Sequence, residues 1–164
     1  MSLTVEEKLE AGPMFDMGIV EHHFTGYMRD YDIFVDVVGP IPGSHKSQVI
    51  GRCRYRFTHC VFTEVKTTVR DDVWASSWED VFIDFRSWTN VGQPEGYVWG
   101  VEYMDAYPGL LYVADSLMAR EWANRLNKPM HEVDIETNAH NIRLIFHDVE
   151  ITFTSEGSSV KQEV

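Results

Sequence analysis

The sequence predicts a mostly β (α+β) fold: an antiparallel β-sandwich or strongly curved sheet, with one α-helix of the C-terminal third packed against it. Three observations lead there. The dominant hydrophobic period is two, over 31–37, 52–69 and 142–153. Strands follow strands without intervening helices, which disfavours a parallel α/β sheet. Aromatic residues make up 13% of the chain, and their rings suit strands and cores. The 164 residues suit one domain, placed at 14–154. Residues 1–13 are expected to be a flexible arm and 155–164 a flexible tail.

In the arm, Thr4 and Glu7 match a capping box, but an isolated helix that short is marginal in water. Gly12-Pro13 closes it. Over 31–37 the apolar residues Tyr31, Ile33, Val35 and Val37 alternate with Asp32, Phe34 and Asp36, as in a half-buried strand. Residues 39–48, rich in Gly, Pro and Ser, form a connecting loop.

Residues 52–69 alternate without a break. A straight strand of that length would reach roughly 60 Å at about 3.3 Å per residue, against a domain radius of gyration of about 15 Å. The chain must turn near Thr58–Cys60. No Gly, Pro or Asn marks a tight turn there, so a bent or bulged strand is expected.

Residues 71–88 carry two patterns. Trp74, Trp78, Val81, Phe85 and Trp88 have helical spacing, while Val81, Ile83 and Phe85 alternate. A turn or short helix near 75–80 followed by a strand is the reading adopted. Tyr97, Trp99, Val101 and Tyr103 share a strand face. Pro108-Gly109 then fits a type II turn leading into a return strand at 110–113.

The helix is predicted at 116–127. Ser116 is its N-cap, Met118, Ala119, Trp122, Ala123 and Leu126 form one face, and Asn127 and Pro129 end it. The segment 131–136 buries Val133 and Ile135 and exposes Glu132, Asp134 and Glu136. The following run, 142–153, reads as its strand partner after a turn at 137–141. The first half of that run is apolar on both faces, as in a central strand.

Arg52, Arg54 and Arg56 occupy every second position. If 39–48 joins a hairpin, Asp36 faces Arg52, Phe34 faces Arg54 and Asp32 faces Arg56. The same register puts Ile33 and Val35 on the inner face with Tyr55 and Cys53. A structural charge ladder of Asp32, Asp36, Arg52 and Arg56 is therefore preferred over an anion site.

The formal net charge is −12, which repels phosphate backbones and disfavours nucleic acid and anionic membranes as partners. No run approaches the roughly 18 apolar residues of a membrane span. The acidic N-terminus lacks the apolar stretch of a signal peptide. Two cysteines, Cys53 and Cys60, make no disulfide framework, so a reducing cytoplasm is expected.

The histidines have no zincin or zinc-finger spacing. Glu21, His23, His59 and His131 are the candidate metal ligands should a site assemble across strands, but none is assigned. No EF-hand loop, Walker loop, G-x-G-x-x-G or G-x-S-x-G occurs, so no cofactor and no catalytic residue is assigned. Trp74, Trp78 and Trp88, interleaved with Asp80 and Asp84, would form an acidic aromatic docking face if exposed.

The leading functional expectation is a small acidic intracellular, non-catalytic protein-binding domain of adaptor or immunity-like type. It would bind a basic protein partner or itself. The alternative is a small-molecule- or metal-binding β domain, in one version an enzyme, with an aromatic-lined pocket and histidine ligands.

Overall fold

The computed structural model describes residues 1–67, 85–92 and 103–155. Two antiparallel sheets pack face to face. Helix α1 (Val5–Ala11) leads into β1 (Gly18–Phe24), β2 (Tyr31–Pro40), β3 (Ser47–Thr58) and β4 (Phe62–Thr67). Helix α2 (Phe85–Asn90), β5 (Met104–Asp105), β6 (Gly109–Tyr112) and α3 (Leu117–Leu126) follow. The chain continues with β7 (His131–Glu136), β8 (His140–Phe146) and β9 (Asp148–Ser155). Sheet A has the order β5-β1-β2-β3-β9 and sheet B the order β4-β8-β7-β6. The expected turn, short helix and strand of 71–88 fall outside the described residues apart from α2, as does most of the 97–103 strand.

The inner faces make one core. Ile33, Val35, Cys53, Tyr55 and Phe57 of sheet A meet Val133, Ile135, Ile142, Leu144 and Phe146 of sheet B, all at most 1% exposed. Phe57 and Phe146 join the sheets edge to face at 4.8 Å between ring centroids. No helix among the described residues is long and apolar enough to cross a membrane.

The β2–β3 hairpin has the register that charge and hydrophobic alternation specify together: Asp36 opposite Arg52, Phe34 opposite Arg54, Asp32 opposite Arg56. One bulge adjusts it at Val37/Val38, and a second interrupts the neighbouring β1–β2 pair between Ile19 and Glu21.

The long alternating run of 52–69 breaks at His59, whose φ is +45°. β3 lies in sheet A and β4 in sheet B, so the chain changes sheets there. The run of 142–153 does the same at His147, passing from β8 to β9. It is therefore two strands rather than one partner of β7. The two corners lie side by side: His147 N–H donates to the Thr58 carbonyl at 2.8 Å, and Val61 N–H to that of Ile145 at 2.9 Å. The pairs β3–β9 and β4–β8 thus form one antiparallel ribbon folded over the core.

Three further expectations are corrected. Residues 1–13 are not a loose arm. Thr4 and Glu7 form the capping box, Leu9 is 5% exposed within the core, and Lys8 pairs with Asp148 at 2.7 Å. Tertiary burial holds a helix too short to stand alone. Pro108-Gly109 does not link a hairpin, because β5 pairs with β1 in sheet A whereas β6 pairs with β7 in sheet B. Glu132 is not exposed but 2% accessible. Its strand position faces outward, yet α3 lies over that part of sheet B.

Helix α3 follows its sequence signals. The Ser116 hydroxyl caps Ala119 N–H, and Asn127 takes a left-handed conformation at φ 51°. Ala119, Met118, Trp122 and Ala123 pack on Ile145, Met130, Val61 and Phe62 outside sheet B.

Candidate functional site

Two outward surfaces carry concentrated charge. On sheet A, β3 presents its arginines between β2 and β9. Arg52 Nε donates to Asp36 at 2.8 Å. Arg56 makes a two-pronged bond to Asp32 through Nε and Nη2, both 2.8 Å, and Asp32 is 3% exposed. Such bidentate geometry is the strong form of the pair. Arg54 lies between them, opposite Phe34 on β2 and Thr152 on β9. Its Nε is buried without an acceptor.

On sheet B, three strands put a second set together. Glu64 of β4, Arg143 of β8 and Asp134 of β7 stand in register across the outer face, with Lys66, Asn141 and Glu136 beside them. They line an open cleft of about 270 Å³. Beside it, toward α3, the Glu132 carboxylate accepts from Arg143 Nε at 2.5 Å and from the Ser116 hydroxyl. This ties the start of α3 to the sheet. Lys66 holds Glu64 at 3.0 Å. Asp134 is left 3.9 Å from Arg143 Nε, beyond hydrogen-bond reach. Among the described residues no cation lies in salt-bridge distance of Glu136. Burial, and then the neighbouring carboxylates Glu132, Glu136 and Glu64, push the Asp134 carboxyl above its ordinary range despite Arg143. The cleft therefore holds more negative charge than its own cations neutralise.

A third concavity, about 510 Å³ and mainly apolar, runs between α1 and β9 past Leu3, Pro13, Cys53, Ile151 and Phe153. No histidine lines it.

The four metal candidates are not brought together. Glu21 and His23 pair with each other at 3.1 Å on β1. His59 lies at the first corner beside His147, ring centroids 5.7 Å apart, and its Nδ1 is buried without a partner. His131 Nδ1 shares a 2.8 Å hydrogen bond with the Tyr112 hydroxyl on the core side of β7. Among the described residues no group of three or more His, Cys, Asp or Glu could hold a metal. Burial lowers the pKa of both His59 and His131, as expected when the charged form loses water. Cys53 and Cys60 are free, buried thiols whose pKa burial raises, so neither is an activated nucleophile.

Trp74, Trp78, Asp80 and Asp84, named as a docking face, lie outside the described residues; Trp88 falls in α2. The cleft residues Glu64, Asp134, Glu136 and Arg143 were not singled out as a site by sequence reasoning. The usable signal was the alternation of charge on β4, β7 and β8, which predicts outer-face charges but not which strands adjoin.

A family model described as YxiG-like protein matches residues 3–162. The chain belongs to the YxiG-like family. The match takes in α1 as well as both sheets, so the N-terminal helix belongs to the family domain. A comparison of this YxiG-like chain with curated proteins finds no match.

Proposed function

We propose that this YxiG-like chain is a non-catalytic protein-binding domain that receives a basic segment of another protein in the outer cleft of sheet B. The observation that carries the proposal is the cleft's excess of acid: Glu136 has no cation within salt-bridge distance among the described residues, and Asp134 has only Arg143, 3.9 Å away and already bonded to Glu132. A lysine or arginine entering there would find an acceptor pair already in place. Complementary charge would also speed encounter with a basic partner and slow it with an acidic one. The overall charge of −12 acts in the same direction. An adaptor or immunity-like role in the cytoplasm fits this chemistry, as do two cysteines kept as buried thiols.

The test is fluorescence-anisotropy titration with a labelled pentalysine peptide. Saturable binding is expected, weakening as salt is raised. The double variant D134N/E136Q should bind about 10-fold more weakly, equivalent to about 1.4 kcal/mol. Equal affinity of wild type and variant at the same ionic strength would remove the cleft from the proposal.

A further inference from the structure

The arginine ladder is unbalanced. Three arginines alternate along β3, but β2 offers only two aspartates across from them. Asp32 is committed to Arg56 through both of its oxygens, and Asp36 accepts from Arg52. The position between, Phe34, has no acceptor to give Arg54. On the other flank Arg54 meets Thr152, a hydroxyl. Among the described residues the Arg54 guanidinium makes no hydrogen bond and no ion pair, and its Nε is shut off from solvent.

A guanidinium that has lost part of its water and gained no counter-charge is costly to keep. Same-face residues along a strand are about 7 Å apart, so each flanking ion pair stands one step away and leaves a slot one side chain wide. Thr152 is exposed, so its hydroxyl can donate into that slot. Asp36 and Asp32, the carboxylates flanking the slot on β2, are already paired with Arg52 and Arg56; on β9, Glu150 stands one step from Thr152, opposite Arg56.

We infer that Arg54 and Thr152 form a receptor for a single oxyanion on the outer face of sheet A. The ligand class is a carboxylate or phosphate group carried by a partner or a small molecule. It would accept from the guanidinium, the geometry in which arginine outperforms lysine, and from the Thr152 hydroxyl. The site lies on the sheet opposite the acidic cleft and is of opposite sign, so it stands whether or not that cleft binds a basic segment.

The experiment follows the Arg54 Nε–H resonance and the Thr152 backbone amide by NMR. Sodium phosphate and sodium acetate are titrated in separate arms at constant ionic strength. Saturable shifts of both signals are expected in at least one arm, and the anion that saturates at lower concentration identifies the group recognised. In Arg54→Gln the Thr152 shift should vanish. In Arg54→Lys, which keeps the charge and protects against a folding artefact, affinity should fall about 10-fold because the planar fork is lost. Thr152→Val should weaken binding while leaving the fold intact. Shifts that never saturate in either arm, or that persist in Arg54→Gln, would overturn the inference. So would affinity unchanged in Arg54→Lys.

Discussion

Glu132 is the residue whose loss the structure translates most directly into a measurable cost. Replacing it with glutamine keeps the volume and one acceptor oxygen but removes the charge. The carboxylate accepts from Arg143 Nε at 2.5 Å and from Ser116, and it is 2% exposed. A hydrogen bond to a charged group contributes about 1.5–3 kcal/mol net. Breaking a fully buried pair costs about 3–5 kcal/mol. The lower range applies here, because the Arg143 side chain is 38% exposed and has Asp134 3.9 Å away. It can regain water and lean toward a second carboxylate. Glu132→Gln should therefore lower stability by about 2 kcal/mol, or Tm by about 4–8 °C for a chain of this size. Glu132→Ala adds a cavity and should cost about 3–4 kcal/mol. Urea unfolding followed by circular dichroism reads both. A double-mutant cycle with Arg143→Met assigns the loss to the pair. If Glu132→Gln stays within about 0.5 kcal/mol of wild type, or the cycle shows no coupling, the buried Glu132–Arg143 pair does not stabilise sheet B and the reasoning fails.

Three further outcomes are expected. A Cβ at Gly12 would stand 2.3 Å from the Tyr55 hydroxyl oxygen and 2.9 Å from Cζ; Tyr55 is fully buried, so Gly12→Ala should cost about 1–3 kcal/mol by overpacking. Tyr55→Phe should restore part of that loss in a thermal melt, and no restoration would place the strain elsewhere. Burial lowers the pKa of His22, His59 and His131 below 6.5, so in acid the unfolded chain binds more protons than the folded one. Stability should fall as pH drops through 6.5 toward the depressed values, with a shallower slope in His131→Gln; urea midpoints that stay flat between pH 7.5 and 5.5 would contradict this. Cys53 and Cys60, 0% and 6% exposed, should react with a thiol reagent only as the chain opens, so labelling should accelerate with urea; fast labelling in native buffer would refute their burial.

Much of the architecture is legible because it rests on local rules. Charge and hydrophobicity alternate together on β2 and β3, and a one-residue slip would misplace both, so the pattern specifies register. Ser116 and Asn127 bound α3 because capping chemistry is local. The candidate site was less legible. Glu64, Asp134 and Arg143 come from three strands, and their meeting depends on the order of strands in sheet B. Neither their types nor their spacing encodes that order.

Sequence by itself determined which faces turn inward, since alternation needs only the two-residue repeat of a strand. The tertiary structure alone decided where the ribbon changes sheets. Residues inside the sandwich face the core from either sheet, so the apolar period runs through His59 and His147 without a mark. It alone decided that Leu9 anchors α1 and that Glu132 is buried. Burial outside a sheet depends on what lies over it, and α3 reaches Glu132 only after the strands have taken their order.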